Sequence, residues 1–483
     1  MRSVIEGLTP AKLWEQFYNV SQIPRGSGNE EAVGEYIISV AKKNNLEYKK
    51  DESGNIVVMQ PATPGYENKP TVIIQGHTDM VCEKNNDTVH DFEKDPIKLV
   101  RDGEWMKADG TTLGADNAIG FCMGLAIMDD DSIEHPPLEH LFTVDEETGL
   151  TGAENLSTDF LNGKIMLNID SEEEGALYIG CAGGKHTILR RKIEWENAPV
   201  GMKTVKVKIG GLSGGHSGLN IDMGLGNSIK LISRFLINVK KKMDYKLAAI
   251  DAGNKHNAIP READAIILIS ASDENTLKDL AKEYDSIFKD ELKFVDEGVS
   301  LTIEDADKTE KVFSDNFSKD VLNVLYSIPH GVQAMSHAVK GLVETSTNMA
   351  IVQTKDDIVE MLTSQRSSVA SSILDIADKV KAVGVLAGYE VEQGGGYPAW
   401  QPNPDSPILK LAIETYKEKA GKEPEVKAIH AGLECGLIGE KFPGMDMLSF
   451  GPTIEGAHSP DERVKIDDVE KIWNFLLDLL KKV

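Results

Sequence analysis

A chain of 483 residues is long enough for two or three domains with substantial cores. Its formal charge of −26 argues against nucleic acid or an anionic membrane as a partner, because both demand clustered lysine and arginine. The first eight residues lack the apolar core of a signal peptide, and no segment approaches the ~18 consecutive apolar residues of a membrane span, so a cytoplasmic protein is expected.

The first 182 residues alternate helices with short apolar strands. Helices are predicted from Thr9-Pro10 through about Val20, over 31–45 and over 117–128. Strands are predicted over 55–59, 71–75, 140–144 and 164–169, each rich in Val, Ile or Leu and bounded by turn residues. That alternation predicts an α/β domain with a mostly parallel sheet and helices on both faces.

Past the glycine-rich stretch 180–184 the character changes. Strand 204–209, helix 227–243, strands 247–250 and 263–270, helix 274–292 and strand 299–304 follow the β-α-β-β-α-β order of a ferredoxin-like unit. A helix over 319–327, strands over 346–353 and 358–364, a helix over 369–385 and a strand over 389–393 suggest a related second unit. Gly394-Gly395-Gly396 reads as a second hinge. Beyond it a helix over 407–420, a strand over 447–450 and a helix over 467–482 rejoin the first domain. The expected boundaries are 1–182 and 395–483 for one α/β domain, with an α+β insertion at 183–394. Cys82, Cys122, Cys181 and Cys435 form no CxxC pair and are expected to be buried thiols.

In an open α/β sheet, ligands gather outside the carboxyl ends of the strands. Four predicted strands are each followed by residues that bind metals. His77-Thr78-Asp79 follows the second, Asp145-Glu146-Glu147 the third and Asp170 the fourth, while 447–450 leads to Gly456-Ala457-His458-Ser459. Asp116 stands at the start of the helix after Leu113-Gly114-Ala115. Each has a plainer reading: an acidic turn for Glu146-Glu147, a helix cap for Asp116, a capping role for Asp79. Five such coincidences on one rim favour a nitrogen/oxygen site for Zn²⁺ or Mn²⁺ instead.

Gly76-His77-Thr78-Asp79-Met80-Val81, Thr112 to Asn117, Asp145 to Gly149, Asn168-Ile169-Asp170 and Gly456 to Ser459 resemble the five site motifs of the M20 metallopeptidases. With Gly214-Gly215-His216-Ser217-Gly218 and the triple glycine, the branch they resemble most is that of the aminoacyl-histidine dipeptidases. The resemblance implies hydrolysis of dipeptides, chiefly Xaa-His including the β-Ala-His type, by a water activated between two divalent ions. Zinc is the first expectation, with manganese or cobalt as alternatives. A broader di- or tripeptidase or an N-acyl amino acid deacylase of the same superfamily is the rival reading.

By that resemblance Asp116 bridges both ions, His77 and Asp170 complete one site, and Glu147 and His458 complete the other. Glu146 becomes the general base, Asp79 orients His77, and the Asp116-Asn117 peptide is expected to be cis. The insertion becomes a lid and dimerisation domain, with His216 reaching the site from the partner of a homodimer. Asn257 and Arg366 are expected at the substrate's carboxylate end and Glu434 at its amino group. On the residues alone, His216 reads first as a turn residue in a glycine-rich loop, and Asn257 and Arg366 are equally ordinary surface or strand residues.

Overall fold

The computed structural model describes residues 2–483, which form two compact units. The first contains residues through Gly180, Pro402–Ala428 and Leu433–Val483; the second contains Cys181–Gln401 and Ile429–Gly432.

An eight-stranded sheet organises the first unit. Its order is Glu47–Lys50, Ile56–Gln60, Leu138–Thr143, Val72–His77, Ile165–Asn168, Asp446–Ser449, Ala176–Cys181, Glu425–Ile429. Val72–His77 pairs in parallel with Leu138–Thr143 and with Ile165–Asn168, which pairs in parallel with Asp446–Ser449. Val72–His77 and Leu138–Thr143 are buried along their whole length, as strands covered on both faces must be. The sheet turns antiparallel at its flanks. Glu47–Lys50 is polar, and the Asp51 carboxylate gathers the N–H groups of Ser53, Gly54 and Asn55 into a tight turn. A connection that short permits only an antiparallel neighbour.

The helix Ala115–Met128 is apolar all round, and apart from Asp116 every residue in it is buried. The closing helix Ile466–Lys482 presents Val469, Ile472, Trp473, Leu476, Leu479 and Leu480 to the core along one stripe. A separate four-stranded sheet runs Ile454–Glu455, Arg463–Lys465, Trp105–Ala108, Leu99–Asp102. It holds the hairpin on which His458 lies.

The second unit is built on an antiparallel sheet in the order Ser300–Asp305, Lys203–Gly210, Ala263–Ile269, Tyr245–Ala252, Val343–Lys355, Ile358–Ser367, Gly183–Lys192, Glu390–Tyr397. The first four have the 4-1-3-2 order of a βαββαβ unit. The last four repeat that order in reverse, with Gly183–Lys192 as first strand, so one unit is inserted into the other.

Two expectations change here. Gly394-Gly395-Gly396 is no hinge: it lies within the strand Glu390–Tyr397, which bulges between Gly394 and Gly396. Gly396 has φ +141°, and a Cβ there would meet the Gly184 carbonyl oxygen at 2.1 Å, so close backbone approach explains the glycine. Cys82 is exposed, whereas Cys122, Cys181 and Cys435 are buried as expected.

Candidate metal centre and active site

The parallel strands of the first unit deliver their following residues to one rim. His77 ends its own strand and is 1% exposed. Its Nε2 lies 3.1 Å from one oxygen of Asp116 and 3.4 Å from Asp170 Oδ1. The other Asp116 oxygen lies 3.2 Å from His458 Nε2, which is also 3.0 Å from Glu147 Oε2. The two oxygens of one carboxylate therefore face two different histidines, each flanked by a further carboxylate. His77, Asp116 and Asp170 form one group of converging ligand atoms, and Asp116, Glu147 and His458 form another. Glu146 converges with His77 and Glu147 in a third.

Several observations fit these groups to divalent cations. Asp170 Oδ1 and Glu147 Oε1 are buried and make no hydrogen bond among the described residues. Burial and the surrounding carboxylates push the Asp170 carboxyl up to about 6. Hydrogen bonds that His458 donates to Asp116 and Glu147 raise its pKa to about 11. Burial opposes protonation of His77, yet Asp170, Asp116 and Asp79 together hold it well above its ordinary value. The carboxylates thus favour positive charge at the rim, and a nitrogen/oxygen donor set without thiolate suits Zn²⁺ or Mn²⁺.

Asp79 is fully buried behind His77. One oxygen lies 3.2 Å from His77 Nδ1 and accepts the Glu146 N–H at 3.1 Å; the other accepts the Ser27 hydroxyl at 2.7 Å and the Glu147 N–H at 3.2 Å. One carboxylate thereby sets both the imidazole and the turn carrying the two glutamates. Asp145, which opens that turn, is left-handed at φ 52°, and its side chain accepts from the Thr148 and Thr151 hydroxyls. The Asp116-Asn117 peptide is cis. Asn117 Nδ2 donates to the Ile169 carbonyl at 2.5 Å, linking that segment to the one before Asp170.

Glu146 is held well above the ordinary carboxylate range, first by burial and then by Asp170, Glu434 and Glu147. Glu434, at the start of the helix Glu434–Lys441, is fully buried in the same unit. One oxygen accepts from Gln75 Nε2 at 2.6 Å and the Thr143 hydroxyl at 2.7 Å; the other has no hydrogen bond among the described residues. Burial pushes its carboxyl up to about 7.

The remaining sequence candidates belong to the second unit. His216 and Asn257 line a cleft of about 610 Å³. His216 Nδ1 accepts the N–H groups of Gly218 at 3.2 Å and Leu219 at 3.0 Å, so the ring proton sits on Nε2. Burial, then Arg366 and His256, lowers its pKa to about 4 and keeps the ring neutral. Arg366 is 7% exposed and donates to Tyr397 Oη at 2.7 Å, while its Nε makes no hydrogen bond among the described residues. The Asn257 carbonyl accepts the Ser217 N–H at 2.8 Å.

Sequence reasoning missed several participants. Glu462 and Arg25 grip the Asp116 loop through backbone groups. His186, His256 and His430 gather near Arg366, whose charge lowers all three after burial. The His186 and His256 rings are 4.9 Å apart, and His430 Nε2 lies 2.7 Å from the Ser346 hydroxyl. These three histidines are far apart in the sequence, so no local signal brings them together.

A parallel-sheet rim carrying paired histidine and carboxylate groups is the architecture of a hydrolase with a metal centre. Over residues 73–482 the chain matches the group described as peptidase family M20/M25/M40. It is 43% identical over 481 residues to the cytosol non-specific dipeptidase of Escherichia coli (strain K12), covering 100% of this chain and 99% of that one. The structure of an aminoacylhistidine dipeptidase from Vibrio alginolyticus superposes with a TM-score of 0.92 at 42% identity, covering 99% of this chain and 98% of that one. An aminopeptidase from Bacillus cereus shares the fold alone, with a TM-score of 0.58 at 14% identity and coverage of 98% and 99%. The chain belongs to peptidase family M20/M25/M40 and is a peptide-bond hydrolase. Among the described residues no helix is long and apolar enough to cross a membrane.

Proposed function

We propose that this chain hydrolyses dipeptides with free termini, Xaa-His among them, at a centre that would hold two divalent ions, with Asp116 belonging to both ligand sets. The observation that carries the reading is the division of Asp116: one oxygen 3.1 Å from His77, the other 3.2 Å from His458. His77 and Asp170 would complete one ligand set, Glu147 and His458 the other. When bound, the ions would supply Lewis-acid polarisation of the scissile carbonyl and acidify a water.

The protein's own groups do the rest. Glu146, half-buried and with its proton affinity raised above that of an ordinary carboxylate, would take the water's proton in its ionised form and return it to the departing amine. Its N–H bond to Asp79 fixes the backbone from which it works. Asp79 is a positioning residue in this scheme. Glu434 offers its unpaired oxygen to the substrate's ammonium group. Arg366, with Asn257, pairs with the free carboxylate. The neutral Nε2–H of His216 is a donor suited to a developing oxyanion.

A homodimer joined through residues 183–394, with His216 supplied by the partner, belongs to the same proposal. So does the lid role of that segment. A cytoplasmic location is supported by the description of the E. coli relative as cytosolic. The breadth of substrates follows two relatives, one described as non-specific and one as an aminoacylhistidine dipeptidase.

The test is elemental analysis paired with kinetics on Ala-His, β-Ala-His, Ala-Leu and N-acetyl amino acids, before and after chelation. Two equivalents of metal, loss of dipeptide turnover on chelation and recovery with Zn²⁺, Mn²⁺ or Co²⁺ are expected. Turnover of acetylated compounds equal to or above that of dipeptides would overturn the substrate assignment, and a chelator-resistant enzyme the mechanism.

A further inference from the structure

The turn that carries Asp116 is held by two buried charged side chains outside the proposed ligand set. Glu462 is 2% exposed. One of its oxygens accepts the N–H groups of Leu113 at 2.8 Å and Gly114 at 2.9 Å; the other accepts those of Ala115 at 2.7 Å and Asp116 at 3.3 Å. Four consecutive N–H groups turned onto one carboxylate make an anion nest. Without them, a buried carboxylate beside Asp116 would be costly. Arg25, 3% exposed, grips the same turn through the Gly114 carbonyl at 2.5 Å. It also donates to the carbonyls of Thr78 at 3.0 Å and Asp79 at 2.8 Å. Gly114 has φ +69°, and a Cβ there would meet Arg25 Nη2 at 2.4 Å, so the turn needs glycine for both reasons.

These contacts join segments that are distant in sequence. Glu462 lies on the hairpin between Ile454–Glu455 and Arg463–Lys465, four residues beyond His458. Its bonds therefore tie the His458 hairpin to the Asp116 turn. Arg25 ties that turn to the chain just beyond His77. We propose that Glu462 and Arg25 are positioning residues that set where the two histidines stand on either side of Asp116. Glu462 keeps the Asp116/Glu147/His458 group assembled, and Arg25 the His77/Asp116/Asp170 group. This rests on the two-metal reading given above. A buried pair that merely stabilised the fold would show no preference between the groups.

The experiment titrates the metal-free full-length protein with Zn²⁺ by calorimetry. The forms compared are wild type, Glu462→Gln, Arg25→Lys, His458→Ala and the double variant Glu462→Gln/His458→Ala. In Glu462→Gln an amide NH₂ opposes two of the four N–H groups. One equivalent is expected to keep its affinity while the other weakens about 10–100-fold. The double variant is expected to titrate like His458→Ala alone. Arg25→Lys keeps the charge but loses the fork that reaches three carbonyls; it is expected to weaken the equivalent that His458→Ala retains. Glu455→Gln, an exposed partner of Arg463 on the same hairpin, serves as a control expected to bind as wild type. If Glu462→Gln does not fold by circular dichroism, Glu462→Asp, with its carboxylate drawn back by one methylene, is read in its place. Two unaltered equivalents in the glutamate variant, or equal weakening of both, would overturn the inference. A wild-type protein that binds no metal would overturn the two-metal reading itself.

Discussion

Replacing Asp79 with asparagine isolates the contribution of the carboxylate behind His77. The substitution keeps size and shape but turns one acceptor oxygen into a donor. Asp79 has four partners, His77, Ser27 and the N–H groups of Glu146 and Glu147, shared equally between its oxygens. At least one backbone N–H, that of Glu146 or Glu147, must lose its acceptor. Burial opposes ionisation, yet the partners hold the carboxyl at about 2, below its ordinary 3.8. That difference favours the ionised form by roughly 2–3 kcal/mol. Because the pKa falls on folding, the stabilisation is fully present above about pH 4 and is lost as pH falls through about 2. Asp79→Asn is therefore expected to cost the chelated protein about 2–3 kcal/mol at pH 7, and to flatten its stability profile between about pH 4 and 2. It should also weaken metal binding about 10–100-fold, since His77 loses the group that orients it. Urea unfolding of both chelated forms at several pH values, with zinc competition at pH 7, measures all three effects. Unchanged stability and unchanged zinc affinity together would refute the reasoning.

Glu146→Gln is expected to retain two equivalents of metal while kcat falls about 10²–10⁴-fold; elemental analysis with steady-state kinetics checks it, and unchanged turnover would remove Glu146 as the base. Arg366→Lys should lower kcat/KM about 10–100-fold for dipeptides with a free carboxylate, yet leave C-terminally amidated dipeptides unaffected; an equal loss on both would place Arg366 elsewhere. His140 is fully buried, its Nε2 lies 2.8 Å from Gln60 Oε1, and burial pushes its pKa down to about 3. The unfolded chain takes up a proton there near pH 6.5 while the folded chain does not, so stability falls with acid. Across about pH 6.5 to 4.5 the chelated wild type should lose roughly 2–3 kcal/mol more than His140→Leu by urea unfolding, and parallel losses would count against it.

The reach of sequence reasoning followed the range of the forces involved. The short apolar stretches Val72-Ile73-Ile74 and Leu141-Phe142 mark strands covered on both faces, and that burial is written into neighbouring residues. The groups after them could be read as one rim because parallel strands place their carboxyl ends together. What stayed hidden was set by backbone groups far away in the chain. Glu462 shows nothing locally, since its four partners are N–H groups more than 340 residues earlier. The strand Gly183–Lys192 was obscured because its first glycines mimic a linker and its later residues include charges at half-buried positions. The triple glycine misled for a related reason: the absence of a Cβ serves a hinge and a close backbone crossing equally, and here it lets Gly396 pass the Gly184 carbonyl. The same logic explains why only the family resemblance, and no local property of the two residues, separates Glu146 from Glu147. Both N–H groups bind one Asp79 carboxylate, yet one step along the turn brings Glu147 to His458 and Asp116, while Glu146 converges with His77 and Glu147 instead. Their difference lies in which loop each side chain meets, and that is fixed by Asp79 holding the turn.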